Sequence, residues 1–252
     1  MAVIEVETRD DVALITLARP EKLNAINAQM LHGLLDAVET IGRSQTIGAA
    51  VLTGRGRAFS AGGDITAMDG MDDETFAATI ALYMSVSTAF RGCPKPIVAA
   101  VHGYALAGGF ELALMCDVRF AAMGTRFGLP DTRLGLSPTS GMTWLLPRVI
   151  GLGRAMYLTL CAEDIDADEA ERIGLVSRVT EPDALVAEAE AFAHRVAGYP
   201  RVGVAWTKLG FQRALESDFE AATRSEAAAE LACFQSPATR ERFRAFVERT
   251  RS

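Results

Sequence analysis

Lys95-Pro96-Ile97-Val98-Ala99-Ala100-Val101-His102-Gly103-Tyr104-Ala105-Leu106-Ala107-Gly108-Gly109-Phe110-Glu111-Leu112-Ala113 is the stretch whose reading decides the fold. It opens on an apolar run, residues 97–101, of a length and composition suited to a buried strand. Residues 102–107 read as a connector. Gly108-Gly109 then starts an apolar helix that continues through Met115. A helix start presents free N–H groups and a partial positive charge, and glycine lets a ligand approach the backbone closely. Glu111 is the one charge in the run from Gly108 to Met115. It is either a partner for the helix dipole or a carboxyl whose pKa is raised by apolar neighbours for proton transfer.

Upstream, residues 49–53 read as a buried strand that runs into Gly54-Arg55-Gly56-Arg57 and then Phe59-Ser60-Ala61-Gly62-Gly63-Asp64. This second glycine-rich loop also follows a strand. Either loop alone could simply turn the chain. Neither is followed by G-K-[ST], and neither has G-x-G-x-x-G spacing, so neither is a phosphate or dinucleotide fingerprint. Two N–H groups converging on one oxygen would instead form an oxyanion hole. Residues 3–6 and 12–17 read as a hairpin. Residues 28–41 and 75–91 carry helical periodicity, and residues 118–122 a further strand. Strands alternating with helices predict an α/β core. From about Pro182 the pattern becomes successive helices over 182–197, 201–216, 218–234 and 237–249. We therefore expect an α/β body over residues 1–195 and a helical C-terminal region over 196–252, whose apolar faces suit packing on a neighbouring subunit. Asp131, after Phe127-Gly128-Leu129-Pro130, is a turn or cap residue or a second carboxyl of the site.

The chain has 252 residues, of which 50% are hydrophobic, and a formal net charge of −7. That is enough to bury a sizeable core. The acidic balance argues against nucleic-acid or membrane-surface partners, which call for basic stripes. Cys93, Cys116, Cys161 and Cys233 form no C-x-x-C pair and read as buried free thiols of a reducing compartment. His32, His102 and His194 have no ligand spacing, so no metal site is expected. The start, MAVIEVETRDD, lacks the basic and apolar regions of a secretory signal, and no stretch approaches about 18 apolar residues. A soluble, cytoplasmic protein is expected.

Several ordered segments together resemble the crotonases, the enoyl-CoA hydratase/isomerase superfamily, over almost the whole chain. They are Arg19-Pro20-Glu21-Lys22-Leu23-Asn24-Ala25-Ile26, the 59–64 loop, the 95–113 stretch, Cys116-Asp117, Phe127-Gly128-Leu129-Pro130-Asp131 and Leu145-Leu146-Pro147-Arg148. The resemblance implies a ClpP/crotonase-like spiral core of ββα units with a C-terminal helical region. It implies that the backbone N–H groups of Gly63 and Gly108 bind a thioester oxygen and that Glu111 and Asp131 are the catalytic carboxyls. Lys22, Asn24, Ala25, Ala61, Gly62, Asp64 and Ile65 would contact CoA, with Ala61 against the adenine. It further implies an acyl-CoA substrate, no metal or redox cofactor beyond the CoA of that substrate, and a homotrimer or a hexamer of two trimers.

The expected reaction is addition of water across a 2-enoyl-CoA. Two fixed N–H donors would hold the enolate charge, and a pair of carboxyls in different protonation states would move the protons. Two departures from the family pattern bear on it. Asp131 stands where glutamate is usual, and one methylene fewer withdraws the carboxyl by roughly 1.5 Å. Ser137-Pro138-Thr139-Ser140-Gly141 has only hydroxyls where some isomerases carry a further carboxylate, near Thr139. The alternatives are a double-bond isomerase and, from a different class, a non-catalytic CoA-binding scaffold. Lys22, Arg55, Arg57 and Lys95 either meet CoA phosphates or are solvated charges. Phe127 and Trp144 line the acyl pocket or pack the core. Met68 and Met71 form a mobile wall of that pocket or an ordinary loop.

Overall fold

The computed structural model describes residues 2–251. Two β-branched runs, β1 (Ile4–Arg9) and β2 (Val12–Leu17), pair antiparallel around a turn in which Asp10 takes φ 53°. Then follow α1 (Ala28–Arg43), β3 (Ala49–Gly54), the short α2 (Ile65–Met68), α3 (Asp73–Gly92), β4 (Ile97–Val101), β5 (Tyr104–Leu106) and α4 (Gly108–Met115). The second half adds β6 (Val118–Ala122), β7 (Arg126–Gly128), α5 (Met142–Ile150), α6 (Leu152–Cys161), β8 (Ile165–Asp166), α7 (Ala167–Arg172) and β9 (Arg178–Thr180). Four helices close the chain: α8 (Leu185–Ala197), α9 (Arg201–Ala214), α10 (Phe219–Gln235) and α11 (Pro237–Arg251). The fold is mixed α/β with a helical C-terminal region.

The main sheet has the order β1-β2-β3-β4-β6-β9, parallel from β2 onward. A smaller sheet, β5-β7-β8, stands apart from it. Period-2 alternation in the strands divides the core. Ala13, Ile15 and Leu17 of β2, with Leu52, Ala99 and Val101, join the large cluster beneath α1, α3 and α4. Val12 and Leu14, with Val51, Val98 and Phe120, join the second cluster beneath α8, which contributes Leu185, Ala189 and Ala193. Strands buried on both sides are apolar throughout, which is why β3 and β4 read as continuous apolar runs.

Helix ends follow local chemistry. The side chains of Asn27 and Asp72 accept from the N–H groups of Met30 and Thr75 and start α1 and α3. The C-terminal region is tied to the body by Lys208 of α9. Its ammonium pairs with Asp117 at 2.8 Å and donates to the carbonyls of Phe90 and Lys95. Asp117 also accepts from Ile97 N–H, so the charge is surrounded by partners.

Two expectations need correction. Residues 104–106 are strand β5, not part of a connector. The run Tyr-Ala-Leu is too short to announce itself, and it is held in extended form by pairing with β7. The thiols are free, but only Cys93 and Cys116 are buried; Cys161 ends the exposed side of α6 and Cys233 is half-buried on α10. The isolation of a cysteine in sequence does not reveal which side of its helix faces the core.

Candidate active site

The loop after β3 is built from below by the 19–26 segment. Asn24 is fully buried at φ 54°, and its amide donates to the carbonyls of Arg55 and Ala58 at 2.9 and 2.8 Å. Ser60 Oγ donates to Asn24 O at 2.8 Å, and Ala61 N–H donates to Leu23 O. Ile26 N–H donates to Gly62 O, and Asp64 N–H donates to Ile26 O. Because successive N–H groups of an extended segment point to opposite sides, the Gly63 N–H is turned away from Ile26. Asp64 caps α2 through Ala67 N–H and pairs with Arg19 at 2.9 Å. Burial opposes its ionisation, but the hydrogen bonds from Arg19 and Ala67 prevail and hold its carboxyl below the usual range.

The second loop is positioned by the small sheet. β5 lies parallel to β7, and Ala107 N–H donates to Gly128 O at 2.9 Å. Ala107 then takes φ 44°, ψ −123°, a costly conformation for an alanine that turns the chain sharply into α4. Glu111 N–H closes the first helical turn on Ala107 O. The Gly108 N–H therefore precedes the intrahelical bonds and is one of the free donors of the helix start.

The two loops touch. Gly62 has φ 100°, and a Cβ there would lie 2.8 Å from Leu106 O and 2.9 Å from the Ala107 methyl. A Cβ on Gly108 would lie 3.6 Å from Gly63 N. The close approach allowed by these glycines brings the Gly63 and Gly108 N–H groups beside the same space. Two donors at one place can polarise a carbonyl and hold the oxyanion that forms from it.

Glu111 sits one turn into α4, 3% exposed. Its Oε1 accepts from the Thr139 N–H at 2.6 Å and its Oε2 from the Thr139 hydroxyl at 2.9 Å. Burial pushes its carboxyl above the ordinary range, against the hydrogen bonds from Thr139 and Ser140 and with a smaller push from the charge of Asp131. Asp131 lies in the single turn Pro130–Leu134 and is half-buried. Burial raises its carboxyl too, and its buried Oδ2 has no hydrogen-bond partner among the described residues. The site therefore joins two free N–H donors to two carboxyls, both shifted toward neutrality.

The other expected residues divide by accessibility. Lys22 and Ile65 are exposed and Ala25 and Ala61 half-buried, whereas Asn24, Gly62 and Asp64 are buried framework of the first loop. Arg55 is engaged by Glu5 at 2.8 Å, and Arg57 is exposed. Phe127 is core, edge-on to Phe110 with ring centres 5.7 Å apart. Trp144 lies between the guanidiniums of Arg91 and Arg148, at 4.8 and 4.1 Å from its ring. Met68 Cε packs over Gly63, 2.8 Å from where a Cβ would stand. Sequence reasoning overlooked Tyr83 of α3, whose buried hydroxyl reaches the same space. Its signal was a polar tip on the helix side shared with Val86 and Phe90. It also overlooked Thr139 as the donor pair for Glu111.

The comparisons agree with this architecture. A family model described as enoyl-CoA hydratase/isomerase matches residues 7–252, and the chain belongs to that family. It is 35% identical over 250 residues to a crotonyl-CoA hydratase of Syntrophomonas wolfei, covering 99% of this chain and 96% of the relative. It is 36% identical to a short-chain-enoyl-CoA hydratase of Clostridium acetobutylicum, covering 96% and 94%. Among solved structures, an enoyl-CoA hydratase of Bacillus anthracis superimposes with a TM-score of 0.95 at 30% identity, covering 98% of this chain and 96% of that one. DspI of Pseudomonas aeruginosa superimposes with a TM-score of 0.95 at 33% identity, covering 99% and 95%.

Proposed function

We propose that this enzyme is an enoyl-CoA hydratase that adds water across the 2,3 double bond of a 2-enoyl-CoA thioester. The observation that carries the reading is the meeting of the Gly63 and Gly108 N–H groups with two carboxyls raised by burial. The thioester oxygen takes the place between the two N–H groups. Water attacks the β carbon and gives a proton to Glu111, while the α carbon takes a proton from Asp131. Negative charge accumulates on the thioester oxygen between the two steps and is held by the two N–H groups.

The hydrogen bonds favour this division of roles. Thr139 presents two donors to Glu111 and so favours its ionised form, as suits the group that takes a proton. Asp131 Oδ2 has no donor and suits the protonated member of the pair. The charge of Asp131 adds a smaller push on Glu111, so a neutral Asp131 beside an ionised Glu111 is the favoured arrangement. The proton taken by Glu111 returns to Asp131, or exchanges with solvent, before the next turnover. CoA enters as part of the substrate past Lys22, Ala25, Ala61 and Ile65, and the chemistry calls for no separate cofactor.

A panel of 2-enoyl-CoAs of increasing chain length, followed by loss of the conjugated thioester absorbance, tests the reading. Turnover of at least one member is expected. Folded protein that binds CoA yet hydrates none of them would overturn it, and conversion of a 3-enoyl-CoA without hydration would favour the isomerase.

Thr139→Val removes the hydroxyl donor and keeps the backbone one. Because that donor lowers the Glu111 pKa, its loss raises it, and activity that needs ionised Glu111 disappears at higher pH as the solution is acidified. We expect the acidic limb of the kcat/KM profile to move upward and kcat at neutral pH to fall roughly tenfold. An unmoved limb would contradict the role given to Thr139.

The body over residues 1–195 carries the site, and residues 196–252 serve self-association as a homotrimer or a hexamer of trimers. Supporting this are large apolar side chains on the helical surface: Phe211, Phe219 and Phe246 are 75%, 84% and 66% exposed. Light scattering on the purified chain tests it, and a monomer at micromolar concentration would contradict it. Among the described residues no helix is long and apolar enough to cross a membrane.

A further inference from the structure

Tyr83 projects from α3 into the space shared by the two glycine loops and is 5% exposed. Its hydroxyl is buried and has no hydrogen-bond partner among the described residues. A Cβ on Gly63 would stand 3.6 Å from that hydroxyl oxygen, and a Cβ on Gly108 would stand 3.4 Å from it. A buried hydroxyl without a partner is unfavourable, and such groups are uncommon in folded proteins. Its persistence beside two backbone donors turned to the same space marks an atom whose partner arrives with the ligand.

Resting on the hydratase reading above, we propose that the Tyr83 hydroxyl is a catalytic third donor that hydrogen-bonds the thioester oxygen beside the N–H groups of Gly63 and Gly108. The ligand atom that these N–H groups select is an acceptor oxygen, and a phenol next to it can only profit by donating. Burial, and then the charges of Glu111, Asp131 and Asp64, push the phenol far above its ordinary range. It therefore stays protonated and remains a donor throughout turnover. A phenol bond strengthens as the carbonyl oxygen becomes an enolate oxygen, so its effect falls on the transition state more than on the bound substrate.

Tyr83→Phe tests this, because it removes one oxygen and leaves the ring that packs against Gly108. We expect kcat for hydration to fall about 10- to 100-fold, a smaller loss than that typical of a backbone oxyanion donor. A 3-oxoacyl-CoA, which enolises and carries the charge, should bind more weakly by a similar factor. A saturated acyl-CoA of the same length should bind within about twofold of wild type, since uniform binding is left intact. The melting temperature should stay level or rise, since the lost hydroxyl had no partner in the free protein.

Wild-type kcat in the variant would overturn the proposal, as would equal weakening of both thioesters, the sign of a packing role. Loss of kcat with 3-oxoacyl-CoA binding retained would assign Tyr83 to proton transfer with Asp131 and overturn the oxyanion role. Should the variant fold poorly, the enzyme with 3-fluorotyrosine in place of Tyr83 decides: its more acidic phenol donates more strongly, so the carbonyl stretch of a bound 13C-labelled thioester should lie below that in wild type. A stretch equal to that in wild type would overturn the third donor. Wild type that hydrates normally while Tyr83→Phe is unaffected would leave the hydratase reading standing; wild type without hydration would remove both.

Discussion

Glu111→Gln should lower kcat for hydration by about 1000-fold while leaving the fold intact. General acid–base groups of this kind contribute roughly 100- to 10,000-fold, and no neighbouring carboxyl is placed to substitute in the same protonation state. Glutamine keeps the acceptor for the Thr139 N–H, and its amide can donate to the Thr139 hydroxyl. The sign of the stability change is the opposite of that for activity. A carboxyl whose folded pKa is raised binds its proton more tightly in the folded state, so its contribution falls as pH rises from the ordinary glutamate range through the raised value. At neutral pH the native Glu111 therefore costs stability, and Glu111→Gln should melt at the same temperature or higher. Loss of activity together with loss of stability would show instead that Glu111 is part of the framework.

Gly62→Ala has the second largest effect, for a reason of geometry. Its φ of 100° is strained for alanine, and the added methyl would meet Leu106 O at 2.8 Å. The neighbour is backbone and cannot swing aside. The two loops must separate, and the N–H groups of Gly63 and Gly108 lose their common target. A misplacement near 1 Å costs on the order of 100-fold, so kcat/KM should fall by at least that much. Gly63→Ala is the control one residue away. Its φ lies outside the left-handed region, and the methyl would meet the flexible end of Met68 at 2.8 Å and lie 3.6 Å from the Tyr83 hydroxyl, an ordinary contact. Most of the activity should remain, measured on the same 2-enoyl-CoA. Equal rates for Gly62→Ala and wild type would mean that convergence of the loops is not what catalysis depends on.

These contrasts mark what the chain discloses before it is folded. The apolar runs that became β3 and β4, and the Gly108-Gly109 start of α4, were legible because each obeys one local rule: a buried strand is apolar throughout, and a helix start needs room. The C-terminal helices were legible from their periodicity. β5 was not, because its extended form is imposed by β7, whose paired residues lie 22 positions downstream. The pairing of Glu111 with Thr139, 28 residues away, depends on how the loop before α5 folds back over α4, and no local pattern encodes that. Tyr83 was hidden for a similar reason. In sequence it is an aromatic on an apolar helix side, and only the approach of α3 to both glycine loops gives its hydroxyl a meaning.

The proposed mechanism turns on Asp131, whose shorter side chain would have to reach the α carbon. The panel of 2-enoyl-CoAs, crotonyl-CoA among them, incubated with the wild-type enzyme in deuterated water, and the products read by mass and NMR, tests the central claim most directly. At least one should give the 3-hydroxyacyl-CoA carrying one deuterium at C2 and the hydroxyl at C3. All of them recovered unchanged, or products whose double bond has moved without gain of water, would contradict it.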